Sequence, residues 1–219
     1  VALGLGVPQD ELLERYMTLE DKRIPPEIVA TGPCKEIKWT GDQIDLTKLP
    51  IVTHAGKDCG PYVTIGVQIG KDPDTGIRNL SVHRMLVLGK DKLSLWAPAD
   101  HHLGRMILKA EEKNKGLEVA TAIGVDPAIV VGSQARVPYG IDEFHVAGGL
   151  RGAAVKLVKC ETIDVEVPAF AEVIIEGVTI PGERVADGPY GEYPGCYSEA
   201  KQAPVLKVTA ITMRKNPIW

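Results

Sequence analysis

The sequence predicts an α+β domain wrapped around a barrel-like sheet. Short β-rich segments recur along the chain with turn residues between them. Only a few stretches carry a helical period. Hydrophobic residues make up 44% of the 219 residues, enough for a sizeable core and too many for a disordered chain.

The elements follow in order. Gln9 to Lys22 places Leu12, Leu13, Tyr16, Met17 and Leu19 at helical spacing, with Pro8 before it and Pro25-Pro26 after it; this predicts a short amphipathic helix. Residues 28–38 read as extended, followed by a turn at Thr40-Gly41-Asp42 and a loop carrying His54, Gly56 and Gly60. Residues 62–70 and 79–88 read as two strands of a hairpin around Pro73-Asp74-Thr75-Gly76, and Lys92 to Trp96 as a third strand. Leu103, Met106, Ile107 and Ala110 predict a helix from His101 that stops before Gly116. Residues 119–125 and 128–133 read as buried strand pieces around Asp126-Pro127, and residues 142–150 as a short helix. Strands are expected at 157–167 and 172–176, then a Gly/Pro-rich loop over 181–195 and a last strand through 205–213.

Composition narrows the function classes. With 25 basic and 29 acidic residues the net charge is -4, which lacks the basic footprint of a nucleic-acid binder. No apolar run approaches the ~20 residues of a membrane-spanning helix. Cys34, Cys59, Cys160 and Cys196 are widely spread and form no CxxC pair, which argues against a zinc knuckle. A reduced, cytoplasmic protein is expected. The chain starts at Val1 and stops at Trp219 just after a strand-like stretch, which leads us to expect a portion of a longer protein or a subunit completed by a partner.

Four segments carry chemistry. In Asp187-Gly-Pro-Tyr-Gly-Glu192 two carboxylates sit five residues apart on a loop shaped by Pro189, Gly188 and Gly191; such a pair can split acid and base roles, or simply be solvated. In Arg78-Asn-Leu-Ser-Val-His-Arg84 a strand would set Asn79, Ser81 and His83 on one face and Leu80, Val82 and Arg84 on the other; an edge strand in water fits as well. Asp100-His101-His102 reads either as a ligand-bearing helix start or as Asp100 capping a helix with exposed histidines. Asp142-Glu143 opens a helix, where a carboxylate also suits the dipole.

Together, and in this order, the four segments resemble the UbiD-like family of prenylated-flavin (de)carboxylases. The similarity runs from about Pro25 to Trp219 and includes Ile123-Gly-Val-Asp-Pro-Ala128, Gly149-Leu-Arg-Gly152 and Glu172-Val-Ile-Ile-Glu-Gly177. The Gly-Pro-Tyr-Gly-Glu run is its most specific element. The resemblance implies a flavin-binding split β-barrel-like domain over 51–219 after a small N-terminal α/β segment over 1–50, without the family's C-terminal domain. It implies Asn79, His102 and Glu143 as ligands of Mn2+ or Mg2+, with His102 preferred to His101 by the run His102-Leu-Gly104. That metal would bridge the phosphate of prenylated FMN, with K+ beside Ser133 and Glu143. Thr64, Val82, His101 and Ser133 would line the cofactor.

By the same resemblance Arg84, Asp187 and Glu192 form the catalytic network. Arg84 would hold the substrate carboxylate and Glu192 would return a proton to the carbon that loses CO2. Many relatives have Glu where this chain has Asp187. The implied reaction is reversible, non-oxidative decarboxylation of a small aromatic acid. The runs Ser81-Val-His-Arg-Met85, Leu95-Trp96 and His101-His102-Leu103 point to hydroxybenzoates. A flavin prenyltransferase would supply the cofactor, and the missing C-terminal region would make a homo-oligomer. Two alternatives stand beside this reading: a non-catalytic assembly subunit of a larger (de)carboxylase, and a plain FMN-binding split-barrel protein.

Overall fold

A computed structural model describes all 219 residues except the side chains at positions 15, 19 and 20; the Leu19 side chain assigned to the first helix's apolar face lies outside the described ones. The helices are α1 (Ala2–Leu5), α2 (Leu12–Glu20), α3 (His102–Glu112), α4 (Pro127–Gly132) and α5 (Glu143–Arg151). The main sheet is antiparallel. Its strands run in the order Ile37–Thr40, Lys201–Met213, Val173–Asp187, Glu118–Ile123, Val67–Lys71, Arg78–Val82. Lys92–Ser94 also pairs with Lys201–Met213, at Val205 to Lys207. The chain that leaves the far edge at Val82 therefore returns, through Met85–Leu86, to the other side of the sheet. The expected α+β architecture around a large, curling sheet is present.

Strand periodicity explains how this sheet is buried on both faces. Val119, Ile123, Val173 and Ile175 pack with Leu103, Met106, Ile107 and Ala110 of α3. Ala120, Ala122 and Ile174, at the alternate positions, pack with Phe144 and Ala147 of α5 and with Leu157 and Val167. Successive side chains point to opposite faces, so one strand serves two cores. The first forty residues are tied in by Glu27–Ile28, which pairs parallel with Lys156–Lys159, and by Ile37–Thr40 at the sheet edge.

Several expectations need correction. Residues 128–133 are not a strand: Asp126 accepts from the Ala128 N–H and Pro127 opens α4. That helix-start chemistry outweighs the β-branched run Ile129-Val130-Val131. Residues 157–167 are not one strand but two, Lys156–Lys159 and Glu166–Pro168, paired antiparallel. The expected loop over 181–195 begins late, because Val173–Asp187 is a single long strand. A register shift between Thr179 and Arg184 takes Pro181 and Gly182 out of the ladder, which is how a strand tolerates them. Asp100 does not cap α3; His101 occupies the N-cap position, without a side-chain capping bond.

The start of α3 is seated by close backbone approach. A Cβ added at Gly104 would lie 2.0 Å from the Pro98 carbonyl oxygen. Gly104→Ala is expected to lower stability by about 1–3 kcal/mol, read from urea unfolding of the variant against the wild type.

Candidate functional site

Three helix ends converge on the edge strand Arg78–Val82. They are the N-terminus of α3, the C-terminus of α4 and the N-terminus of α5. Between them lies a cavity of about 650 Å³ lined by residues 79–83, 100–102, 133–138 and Glu143. The α5 end is fixed by Asp142, which caps the Phe144 N–H at 2.9 Å and receives Arg78 Nε and Nη2 at 2.9 and 2.7 Å. Arg78 also donates to Glu166 at 2.7 Å. The next residue, Glu143, is then turned inward.

Glu143 is 2% exposed. Its carboxylate accepts from Asn79 Nδ2 at 2.8 Å and from the Leu80 N–H at 2.7 Å. Burial pushes its pKa up to about 7, against the opposing effect of these donors. His102 Nδ1 lies 4.0 Å from Glu143 Oε1. Burial, then Arg105 and His101, hold the His102 pKa below the ordinary histidine value. The His102 ring meets Tyr139 edge-on, centroids 5.1 Å apart, and the Tyr139 hydroxyl donates to Asp72. Among the described residues no group of three His, Cys, Asp or Glu side chains gathers for a metal. The gathered set is one amide, one imidazole and one carboxylate. Asn79 Oδ1 is buried without a hydrogen-bond partner. An orphaned amide oxygen beside a carboxylate and an imidazole suits a divalent cation, which would take up that lone pair. Val82, His101 and Ser133 line the same cavity. Thr64 does not line it; its hydroxyl stands 3.4 Å from His54 Nε2.

Arg84, just beyond the same strand, joins the two loop carboxylates. Its Nε donates to Asp187 Oδ1 at 2.8 Å and its Nη1 to Glu192 Oε1 at 2.7 Å. The shorter acid at 187 thus reaches the guanidinium. Asp187 is fully buried. It also receives the Ser94 hydroxyl on Oδ2 and the Tyr62 hydroxyl on Oδ1 at 3.4 Å. The Arg84 guanidinium lies over the Tyr190 ring at 4.6 Å and near Trp96 at 6.0 Å. Glu192 differs: its side chain is 35% exposed, so one carboxylate is enclosed and the other reaches open space. The loop is shaped by Gly188, at φ 120, where a Cβ would meet Ala200 Cα at 2.9 Å. It is strapped by Asp58, which accepts from the Gly191 N–H at 2.7 Å.

Sequence reasoning missed Tyr62 and Ser94 around the arginine; Trp96 and Tyr190 lay inside quoted runs but were given no role. Ser94 and Tyr62 sit in unremarkable strands far along the chain from Asp187.

An α+β domain with a polar cavity beside an acid–arginine–acid cluster is the arrangement that the four sequence segments led us to expect. A sequence model of the UbiD family, described as the 3-octaprenyl-4-hydroxybenzoate carboxy-lyase Rift-related domain, matches residues 27–219, and the chain belongs to that family. It is 36% identical over 219 residues to the anhydromevalonate phosphate decarboxylase of Methanothermobacter thermautotrophicus, covering all of this chain and 50% of that protein. Among solved structures it resembles the UbiD-class enzyme HmfF of Pelotomaculum thermopropionicum in complex with prFMN: TM-score 0.95, 43% identity, 100% of this chain and 51% of that one. It also resembles the 3,4-dihydroxybenzoic acid decarboxylase AroY of Klebsiella pneumoniae, with TM-score 0.92 and 33% identity, covering 99% of this chain and 48% of that one. The chain thus spans about half the length of these relatives.

Two outcomes are expected from this geometry. Ser94 Oγ accepts from the Leu86 N–H at 2.8 Å while donating to Asp187, so Ser94→Ala leaves two buried groups short of a partner. Its cost should be about 1–3 kcal/mol in chemical denaturation, largely restored in Ser94→Thr. Asp72, buried, would have a raised pKa from burial alone. Lys109, Tyr139 and the Asp74 and Thr75 amides outweigh this and hold it well below the carboxylate range. A depressed folded pKa contributes stability above the unfolded value of about 4, lost as the pH falls through the folded value. Asp72→Asn should therefore destabilise at pH 7, with a smaller difference from wild type at pH 3, as followed by thermal unfolding.

Proposed function

We propose that the whole protein catalyses the reversible, non-oxidative decarboxylation of a small aromatic, phenolic carboxylic acid on prenylated FMN. The observation that carries this is the bridge from Arg84 to one buried and one partly open carboxylate, at 2.8 and 2.7 Å. Loss of CO2 from an aromatic ring leaves an electron pair in the ring plane, where the ring cannot delocalise it. Prenylated FMN, when bound, supplies the electron sink.

The chain's residues do the rest. Arg84 holds the substrate carboxylate with its planar donor fork. Asp187, fixed by Ser94 and Tyr62, keeps that fork oriented. Glu192, the open member, carries the proton to the carbon that has lost CO2 and takes it back in the carboxylation direction. Asn79, His102 and Glu143 would hold Mn2+ or Mg2+, whose charge would offset that of the flavin phosphate, and Ser133 and Glu143 would lie beside K+. His101 and Val82 flank the cofactor in the same cavity. A flavin prenyltransferase supplies the cofactor, and the protein works as a cytoplasmic homo-oligomer.

A second substrate reading rests on the relative that matches the chain along its whole length: decarboxylation of anhydromevalonate phosphate. The same acid–arginine–acid cluster would serve it.

The test is to co-express the full-length protein with a flavin prenyltransferase and purify it without oxygen. Released cofactor and bound metal are identified by mass spectrometry, and hydroxybenzoates and anhydromevalonate phosphate are then compared as substrates. Prenylated FMN with manganese or magnesium is expected; ordinary FMN without decarboxylation would support the plain flavoprotein instead. Glu192→Gln should lower turnover by roughly 10²–10⁴-fold while cofactor content stays unchanged. Unchanged turnover would remove Glu192 from the mechanism.

A further inference from the structure

Among the described residues, the Glu192 carboxylate has one hydrogen-bond partner, Arg84 Nη1. Where it points therefore depends on the backbone that carries it. That backbone is a small hairpin, in which Tyr190–Gly191 pairs with Tyr197–Ser198. Its turn is closed by the Glu192 N–H on the Cys196 carbonyl at 2.8 Å and by the Gly195 N–H on the Glu192 carbonyl at 2.9 Å. A two-stranded ribbon this short is marginal without support from outside.

The support comes from a segment more than a hundred positions away. The Cys59 N–H donates to the Pro189 carbonyl at 3.1 Å, and the Lys57 N–H to the Tyr197 hydroxyl at 3.2 Å. The Lys57 ammonium lies 5.7 Å from the centre of the Tyr197 ring, and Tyr62 meets Tyr190 edge-on at 4.8 Å. The two segments approach most closely at Gly191, where an added Cβ would stand 2.8 Å from Ala55 Cβ. Asp58 joins them. Its Oδ1 accepts from the Gly191 N–H at 2.7 Å and its Oδ2 from the Ala55 N–H at 2.9 Å. The side chain must therefore accept on both sides. An amide would turn its NH2 towards one of the two N–H groups, so the position calls for a carboxylate. Asp187, and with it Arg84, is anchored through Ser94 and Tyr62, whereas Asp58 grips the residue just before Glu192.

We propose that Asp58 is a positioning residue for the acid: by holding the Gly191 N–H it places the Glu192 carboxyl for proton delivery. The inference rests on the proton-carrying role proposed for Glu192. It divides the work of the loop. Arg84 and Asp187 fix the substrate carboxylate, and Asp58 fixes the acid. Misplacing a reacting group by about 1 Å can cost about 10²-fold in rate, so a freed hairpin slows turnover while substrate still binds.

The experiment is a double-mutant cycle on the full-length holoenzyme, assayed on whichever of the hydroxybenzoates and anhydromevalonate phosphate the wild type decarboxylates. Asp58→Ala should lower kcat by roughly 10–100-fold, with KM within about two-fold of wild type. In the background of Glu192→Gln the same substitution should cost less than about two-fold, since Asp58 acts through Glu192. Hydrogen exchange gives a readout independent of turnover. The Glu192 and Gly195 amides, which bond within the hairpin, should exchange roughly ten-fold faster in Asp58→Ala, while that of the buried Ile174 stays unchanged. Asp58→Asn, which keeps one acceptor, should lie between, and it takes the place of Asp58→Ala if that variant does not fold. Equal losses from Asp58→Ala with and without Glu192→Gln, or unchanged exchange at Glu192 and Gly195, overturn the inference and leave the role of Glu192 standing. A wild type that decarboxylates none of these acids, or a Glu192→Gln enzyme as fast as wild type, overturns the role of Glu192 and this inference with it.

Discussion

A fully buried carboxylate beside a guanidinium is the constraint around which the loop end of the molecule is organised. Taking such a pair out of water costs several kcal/mol per ion, and their attraction compensates only when the remaining donors and acceptors are also met. Asp187 meets this condition through Arg84, Ser94 and Tyr62. Asp187, Ser94 and Tyr62 come from separate strands and Arg84 from just beyond a fourth, so the ion pair requires the curled sheet to be in register. Pairing of Lys92–Ser94 with Lys201–Met213 sets Ser94 in place. Pairing of Asp187 with Lys201 fixes the end of the long strand.

From that anchor the site divides by exposure. Asp187 is committed on both oxygens to the protein, whereas Glu192 touches Arg84 by one oxygen and stays open. Two chemically similar acids thereby sit in different environments, one enclosed and one partly open. At the other end of the same strand the pattern is reversed: the groups there are under-satisfied. Glu143 is closed in by Asn79 and the Leu80 N–H, while Asn79 Oδ1, Ser81 Oγ and His83 Nε2 face the cavity without partners. One wall is complete in the protein alone, and the other keeps buried polar atoms without partners.

Much of this was legible in the chain. The α+β class followed from short β-rich segments and a few helical periods, and the apolar stripe of α3 was readable from Leu103, Met106, Ile107 and Ala110. The Asp187–Glu192 loop and the Asn79–Arg84 strand stood out as motifs. The misreadings have local physical causes. At 127–132 the β-branched run hid a helix whose Asp-Pro start was present in the sequence. At 181–187 Pro and Gly suggested a loop, whereas a register shift let the strand continue past them.

By itself, then, the sequence marked the segments that meet at the candidate site, because periodicity, turn residues and motif spacing are local properties of a chain. Only the tertiary structure decided what each of those residues does with its neighbours. Arg84 bridges two acids more than a hundred positions away, and Ser94 and Tyr62 orient Asp187. His83 Nε2 is buried at the cavity wall without a hydrogen-bond partner. Such partnerships are set by sheet curvature and burial, which depend on contacts between distant segments and leave no mark in the spacing of residues along the chain.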